Sequence, residues 1–214
     1  MTKFIITYDD RDPKLGSYFA LCKENLVSFL SEKGISEIVE ISTQHCTQLF
    51  IELKVNEVKN DDVFYFVAYS HGNNNSLVSD KNPYVKVGVN THLFKNSVFY
   101  TNACLCGREL KSDLILNGTK TFIGYKEETN VLLQDAHLSA KLDNYALLLF
   151  IESDRTIHEA YISMLDYYDH EIDKLNDLEK GLGYGKAAYL TDARDALVFD
   201  GDKNYKFVSP SLPT

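Results

Sequence analysis

The feature that most constrains the fold of this sequence is a seven-residue stretch, residues 63–69, in which every side chain is apolar or aromatic. A strand that is apolar on both faces is typical of the centre of a parallel sheet that helices cover on both sides. Residues 97–103 form a second strand of this buried kind, and shorter β-forming runs lie at residues 4–8, 35–41 and 120–125. Helical periodicity separates these runs along the chain. The alternation predicts an α/β fold with a mostly parallel central sheet flanked by helices on both faces.

The predicted helices begin and end at recognisable signals. Gly34 and Gly118 follow the last periodic residue of two helices, where glycine is a common C-terminal stop. Thr156 and Glu159 have the spacing of a capping box, which predicts that a helix begins there after a break near residue 153. The predicted helical segments are residues 15–30, 46–53, 109–116 and, in two pieces, 131–178.

Three further segments complete the predicted fold. Residues 196–199 and 205–208 flank an Asp-Gly turn, which predicts a C-terminal β-hairpin. Residues 72–82 are polar and are expected to form a loop that becomes ordered when substrate binds, ahead of a small hairpin at residues 84–89. The Gly-x-Gly-x-Gly run at residues 181–185 follows a helix rather than a strand. We therefore expect a flexible loop near the site there, and not a dinucleotide-binding turn.

Size and charge exclude several functional classes. A chain of 214 residues is long enough for one core, so we expect a single domain spanning residues 1–214. The 22 basic residues against 31 acidic ones give a net charge of −9, which argues against a nucleic-acid partner. The longest apolar run, residues 146–151, is too short to cross a membrane, and the N-terminus lacks a signal-peptide pattern. We therefore expect a cytoplasmic protein without a membrane partner.

The cysteines do not form a metal-binding pattern. Cys104 and Cys106 are separated by one residue, whereas zinc ligands are usually separated by two to four. Cys22 and Cys46 fall on apolar faces of predicted helices, where a free thiol behaves as a small hydrophobic side chain. The sequence also has no phosphate-binding loop, and we expect neither a metal nor a cofactor.

Two predicted strands end in residues that can carry chemistry together. His71 follows one buried strand and Cys104 follows the next. Because ligands gather at the carboxyl ends of the strands in an open α/β sheet, the two side chains are expected to meet over one substrate. Cys104 would attack a carbonyl carbon as the thiolate, and His71 would take its proton and pass it to the leaving amine. The backbone N–H groups of Gly72 and Cys104 are the predicted oxyanion hole.

These residues stand in two motifs that resemble those of the caspase-like cysteine peptidases. Residues 69–72 (Tyr-Ser-His-Gly) and 101–104 (Thr-Asn-Ala-Cys) look like the His-Gly and Ala-Cys pair of that family, which includes caspases, metacaspases, separases and the bacterial CHAT peptidases. The resemblance extends over nearly the whole chain in element order, and residues 157–160 and 197–202 look most like CHAT domains. It implies a cysteine endopeptidase that forms a thioester acyl-enzyme and cleaves a specific protein. It also implies regulation by an activating or inhibiting protein partner, as in bacterial defence.

The residues expected to bind the substrate side chain lie at the ends of two strands. In metacaspases an Asp two residues before the nucleophile helps to bind a basic side chain, and this sequence has Asn102 at that position. The cluster Asp9-Asp10-Arg11-Asp12, at the end of the first strand, is the other expected wall of the pocket, although it also fits a solvated loop. Its three carboxylates favour Arg or Lys before the scissile bond, whereas Arg11 favours Asp. The preference stays open, with the acids favouring a basic residue.

Two other functions fit parts of the pattern. A caspase-like fold can serve as a protein-interaction module in which His71 and Cys104 are not used, and each of them taken alone is more often structural. A receiver-like or flavodoxin-like signalling domain would share the sheet pattern and bind Mg²⁺ at Asp9 and Asp10. That hypothesis lacks the expected downstream Lys and leaves the motif at residues 70–72 unexplained.

Overall fold

The computed structural model describes residues 2–59, 63–177 and 182–208, and its centre is a six-stranded sheet. Within these residues the strands are β1 (Lys3–Tyr8), β2 (Ile38–Ser42), β3 (Phe64–Tyr69), β4 (His71–Asn73), β5 (Ser76–Ser79), β6 (Asn82–Lys86), β7 (Ser97–Thr101), β8 (Thr121–Tyr125) and β9 (Leu197–Gly201). The order across the central sheet is β2-β1-β3-β7-β8-β9. All neighbouring pairs run parallel except β8 and β9.

Helices connect these strands. In the described residues they are α1 (Gly16–Glu32), α2 (Gln48–Val58), α3 (Glu109–Leu116), α4 (Ala136–Glu152), α5 (Ile157–Asp177) and α6 (Leu182–Ala196). Among these helices, none combines the length and the apolar character that a membrane crossing demands.

The central sheet buries both of its faces, and β3 shows how. All six of its residues are buried, and their side chains alternate between two cores. Tyr65 and Val67 belong to the core under α1, α4, α5 and α6, whereas Phe64 and Phe66 belong to the core under α2 and α3. This arrangement confirms the predicted α/β fold with a mostly parallel sheet and helices on both faces.

The C-terminal strand is antiparallel, as predicted, and its partner is a strand of the central sheet. β9 pairs with β8 along its whole length. Residues 205–208, the expected second arm of a hairpin, lie elsewhere, and Lys206 forms a single bridge with Thr156. The edge of β8 offers β9 a full row of backbone hydrogen-bonding groups, which is more than the short arm at residues 205–208 provides. The strand therefore completes the sheet instead of folding back onto its own continuation.

Residues 72–82, expected to form a polar loop, contribute instead to a separate three-stranded antiparallel sheet, β4-β5-β6. Leu77, Tyr84 and Val85 bury their side chains in the core beside α2. These few apolar side chains hold the small sheet against the domain, although most of the segment is polar. The hairpin predicted at residues 84–89 is therefore displaced toward the N-terminus, onto β5 and β6.

The glycine-rich run is helical where the structure describes it. Gly183 and Gly185 lie in α6, and Gly181 is outside the described residues. The expectation of a flexible loop is wrong at these two positions, because Leu190 and Ala193 of the same helix are buried in the core. Tertiary packing of an apolar face stabilises a helix more than propensity does, and here it outweighs the cost of two glycines.

The predicted helix signals are confirmed. Gly34 and Gly118 adopt left-handed backbone angles, with φ of 73° and 92°, directly after α1 and α3. Thr156 and Glu159 form the capping box that opens α5: the Thr156 N–H donates to Glu159 Oε2 at 2.7 Å, and the Glu159 N–H donates to Thr156 Oγ1 at 3.2 Å. Cys46 lies just before α2 rather than on its apolar face, and it is buried as expected.

Candidate catalytic site

The residues that follow β3 and β7 meet at one edge of the central sheet. Ala68 of β3 lies opposite Thr101 of β7. The Thr101 hydroxyl donates to the Ala68 carbonyl oxygen at 2.9 Å, and the Asn102 N–H donates to the same oxygen at 3.2 Å. His71 and Cys104 therefore leave the sheet side by side, and both line one cavity.

Gly72 brings the backbone that follows His71 into contact with the backbone that carries Cys104. A Cβ atom on Gly72 would lie 2.7 Å from the Cys104 carbonyl oxygen, 2.9 Å from the Ala103 Cβ and closer still to the Cys106 Sγ. Ordinary van der Waals contacts of a Cβ begin near 3.4 Å, so this approach requires glycine. Cys106 is fully buried against Gly72, and burial raises the pKa of its thiol. Cys104 is the partly exposed thiol of the pair.

The two backbone N–H groups expected to form an oxyanion hole are those of Gly72 and Cys104. A two-residue turn links β4 to β5, so Asn73 and Ser76, the residues on either side of the turn, form a hydrogen-bonded pair. Pairs alternate along an antiparallel ladder, so the next pair, Gly72 and Leu77, is not hydrogen-bonded. The Gly72 N–H is therefore directed away from β5. The Cys104 N–H donates to no protein acceptor among the described residues.

The turn after the candidate nucleophile is strained. Leu105 has a φ of 65°, in the left-handed region that residues other than glycine rarely adopt. For an L-amino acid this conformation costs about 1–2 kcal/mol. Such strain concentrates at functional sites, where the surrounding structure holds it in place. Here it accompanies the turn that begins directly after Cys104, in the loop that follows β7.

A carboxylate holds the imidazole of His71. Its Nε2 lies 3.0 Å from Asp12 Oδ2, and the edge of its ring packs against Phe19. The other oxygen of Asp12 accepts hydrogen bonds from the N–H groups of Lys14 and Leu15, at 2.9 and 2.7 Å. Burial raises the pKa of Asp12, but these bonds and the contact with His71 outweigh it and hold the pKa below its ordinary value. Asp12, expected in the wall of the substrate pocket, lines a cavity together with Asp9 and Arg11, and its carboxylate also contacts the imidazole.

The other residues of the acidic cluster form hydrogen bonds that connect the segment after β1 to Thr43 and to Asp80. Asp9 is buried, and its carboxylate accepts hydrogen bonds from the Thr43 hydroxyl at 2.8 Å and from the Asp80 N–H at 3.3 Å. Asp10 accepts a hydrogen bond from the Thr43 N–H at 3.1 Å, and the Arg11 N–H donates to Thr43 Oγ1 at the same distance. Asp9 and Arg11 line a second cavity of about 310 Å³, which does not reach the candidate nucleophile.

The sulfur of Cys104 contacts a loop far along the chain. It lies 3.3 Å from the Thr129 backbone nitrogen and 3.5 Å from Thr129 Oγ1. Both His71 and Cys104 belong to the described part of the chain, yet no hydrogen bond joins them. In this conformation the Cys104 sulfur contacts Thr129. The Cys104 side chain has to rotate toward His71 before a proton can pass from the thiol to the imidazole.

The cavity beside Cys104 has a polar floor. Asn102, an expected pocket residue, lines it and is 8% exposed. Asp143 of α4 lies next to it and accepts hydrogen bonds from the hydroxyl groups of Tyr18 and Tyr125, each at 2.5 Å, and from Asn102 Nδ2 at 3.0 Å. Burial raises the pKa of Asp143, although the hydrogen bonds act in the opposite direction.

Sequence reasoning did not identify Thr129 or Asp143. Asp143 carries a detectable signal, because an acid that falls on the apolar face of a predicted helix is rarely buried without a specific role. Thr129 lies in an irregular segment, where no periodicity or motif connects it to Cys104.

Within the described segments, no group of three or more His, Cys, Asp or Glu side chains is arranged to hold a metal ion. No protein-family model matches this chain, and no curated protein matches it either. The case for a function therefore rests on the geometry of the site.

Proposed function

We propose that this chain is a caspase-like cysteine endopeptidase, most similar to CHAT peptidases, in which Cys104 is the nucleophile and His71 transfers protons. One observation carries the proposal: Gly72 packs against the backbone of Cys104, which brings a His-Gly and an Ala-Cys segment together at the carboxyl edge of a parallel sheet. A nucleophile, a base and two backbone donors then surround one cavity, which is the combination that acyl transfer requires.

The proposed reaction has two stages. In the first, Cys104 gives its proton to His71 and its sulfur bonds to the carbonyl carbon of the scissile peptide. The resulting oxyanion accepts hydrogen bonds from the N–H groups of Gly72 and Cys104, an interaction worth about 3 kcal/mol for each donor in enzymes where one has been removed. The C–N bond then breaks, and His71 protonates the departing amine. In the second stage a water gives its proton to His71 and attacks the thioester, which releases the carboxylic acid and the thiol.

Asp12 has a positioning role in this scheme. An imidazole that donates a hydrogen bond from Nε2–H to Asp12 Oδ2 keeps Nδ1 as the nitrogen that exchanges protons with the substrate and with Cys104. The carboxylate also stabilises the imidazolium that forms after proton transfer. Because Lys14 and Leu15 fix this carboxylate, the imidazole is held from the α1 side of the site.

The contact of Thr129 with Cys104 supports regulation of the enzyme. A thiol whose sulfur faces Thr129 is not yet engaged with His71, so binding of a protein partner or of the substrate has to rearrange this part of the site. The same contact favours a second candidate function, a protein-interaction module in which the pair is never engaged.

Labelling with a peptidyl electrophile separates the two functions. The wild-type chain, Cys104→Ala, His71→Ala and the control His137→Ala, which changes an exposed histidine of α4, would be treated with a mixed set of peptidyl acyloxymethyl ketones. Mass spectrometry would then locate the modified cysteine. The other three cysteines are buried and serve as internal controls.

The peptidase proposal expects modification at Cys104 that slows sharply in His71→Ala and is unchanged in His137→Ala. Cleavage of a mixed fluorogenic peptide set should disappear in Cys104→Ala and His71→Ala. If the wild-type chain shows neither labelling at Cys104 nor cleavage, the interaction module becomes the better account.

A further inference from the structure

The segment that contacts the Cys104 sulfur is anchored to the rest of the domain at its two ends. We call residues 127–130 the cover segment. It follows Lys126, whose N–H donates to the Ala196 carbonyl oxygen at 2.7 Å, and it ends shortly before Leu132, which is buried in the core. Between these anchors Thr129 is half-buried and the other three residues are exposed. A segment with so few buried contacts can open without unfolding the domain.

The hydrogen bonds of the cover segment all lead to the loop that carries the candidate nucleophile. In the part of the chain that the structure describes, they join it only to Cys104, Leu105 and Arg108. The Leu105 N–H donates to the Glu127 carbonyl oxygen at 3.3 Å, and Thr129 contacts the Cys104 sulfur. The position of Thr129 on the sulfur therefore depends on how firmly Glu127 is held.

The side chain of Arg108 holds Glu127 and the residue before it. Its Nε donates to the Lys126 carbonyl oxygen at 2.6 Å, and its Nη2 donates to the carboxylate of Glu127. Its Nη1 lies 3.5 Å from Asn74 Oδ1 in the turn between β4 and β5. One planar guanidinium thus contacts both sides of the junction, a geometry that the single ammonium group of Lys does not reproduce.

This attachment is accessible from solvent and is easily broken. The side chains of Arg108 and Glu127 are 42% and 55% exposed. An ion pair at such a position contributes little net stability, and salt weakens it. The contact that fixes the start of the cover segment is therefore one that a protein partner can reach and replace without opening the core.

We propose that Arg108 is an autoinhibitory latch, which holds the cover segment closed over Cys104, and that its release frees the thiol. While Arg108 holds Glu127, Thr129 stays against the sulfur. Once Glu127 is released, Thr129 can leave the sulfur and the thiol can rotate toward His71. The inference rests on the proposed peptidase function and names the contact through which that site is regulated.

Substitutions on both sides of the latch test the inference. Arg108→Gln and Glu127→Gln each remove one charge of the pair, and the matched control Lys54→Gln removes a partly exposed ion pair within α2. Modification of Cys104 by one peptidyl acyloxymethyl ketone, and separately by iodoacetamide, would be followed by mass spectrometry on the full chain. Hydrogen exchange would be measured over the cover segment. The three buried cysteines report general loosening, because they react only if the core opens.

Arg108→Gln is expected to speed both modifications of Cys104 at least about threefold and to raise exchange in the cover segment, whereas Lys54→Gln should change neither. Glu127→Gln should act in the same direction. The double variant should be no faster than Arg108→Gln alone, because both residues act through one contact. Glu127→Gln changes one exposed side chain and decides the question if Arg108→Gln does not fold.

Three results would overturn the latch. They are unchanged or slower modification of Cys104 in the variants, faster modification that the buried cysteines share, and faster modification without faster exchange in the cover segment. Each of these leaves the peptidase proposal intact as long as the peptidyl ketone modifies Cys104. If the ketone modifies Cys104 in no variant while iodoacetamide alkylates it in all of them, the peptidase proposal itself is wrong, and the latch is wrong with it.

Discussion

Gly72→Ala tests the architecture of the candidate site most directly, because it adds one methyl group where two segments of backbone meet. The new Cβ would lie 2.7 Å from the Cys104 carbonyl oxygen and 2.9 Å from the Ala103 Cβ. Relief requires a displacement of about 0.7 Å, the difference between 2.7 Å and the 3.4 Å at which ordinary contacts begin. Neither neighbour can rotate away, since one is a backbone atom and the other is fixed to the backbone.

Overpacking in a well-packed region costs about 1–3 kcal/mol, and the rigid neighbours of Gly72 place this substitution at about 2–3 kcal/mol. A loss of 1 kcal/mol lowers the Tm of a domain of this size by about 2–4 °C. We therefore expect Gly72→Ala to lower the Tm by about 4–12 °C. Because the displacement separates the segments that carry His71 and Cys104, modification of Cys104 by a peptidyl electrophile should slow as well.

Thermal unfolding followed by circular dichroism measures the effect, and Gly185→Ala is the matched control. A Cβ at Gly185 meets no atom within 4 Å, and the residue is helical, so alanine there should stabilise the protein by up to about 1 kcal/mol. The double variant Gly72→Ala/Cys106→Ala, compared with Cys106→Ala alone, should show a smaller loss, because the nearest obstacle is gone. A Tm of Gly72→Ala within 1–2 °C of wild type, roughly the effect of 0.5 kcal/mol, would refute the close approach of the two segments.

Three further predictions concern residues that contact the candidate catalytic pair, His71 and Cys104. Asp12→Asn keeps the shape of the side chain but removes the charge that holds His71, so modification of Cys104 by a peptidyl electrophile should slow at least about tenfold; an unchanged rate would contradict the positioning role. Since the pKa of Asp12 is lowered in the folded protein, its ionised form contributes stability that is present above its ordinary pKa of 3.8 and is lost as the pH falls through the folded-state value. Urea unfolding between pH 2 and pH 6 should therefore show a shallower acid limb in Asp12→Asn, and identical limbs would contradict this sign. Thr129→Val removes the hydroxyl that contacts the sulfur without a large change in shape. On the proposal that this contact keeps the thiol from His71, modification of Cys104 by a peptidyl electrophile should become about threefold faster, and an unchanged or slower rate would contradict that role of Thr129.

The central sheet is predictable from sequence because its strands are apolar without interruption. Residues 63–69 cannot form a helix with a solvated face, and their only stable place is the middle of a covered sheet. The small β4-β5-β6 sheet was predictable only in part. A hairpin was expected at residues 84–89, but Leu77 and Val78 form too short an apolar run in a polar segment to predict a strand there. The partner of β9 was not predictable either. Local turn chemistry at residues 200–201 favoured a hairpin, while the pairing that forms depends on an edge of β8 more than seventy residues earlier in the chain.

The placement of His71, Gly72 and Cys104 was predictable because parallel strands deliver their carboxyl ends to one edge. The contact between Asp12 and His71 was not predictable. Asp12 lies on an irregular turn, and the direction of its carboxylate depends on hydrogen bonds from Lys14 and Leu15 at the start of α1. Thr129 and Asp143 reach the site through tertiary contacts with residues far from them in sequence. Loop trajectories and buried polar networks of this kind are fixed by the whole packed domain, and no local pattern encodes them.

The hydrogen-bond network around Asp143 can form only after segments far apart in the chain have all been synthesised. Its hydroxyl donors are Tyr18 of α1, Tyr125 of β8 and Tyr168 of α5. Leu190 and Ala193 of α6 line the same cavity. A ribosome releases residues 71 and 104 well before these later segments, and chains begin to fold from the end that emerges first. The thiol is therefore synthesised before the cavity beside it can be enclosed. A nascent chain that stops short of α5 lacks one wall of that cavity, so the finished site is a property of the completed domain.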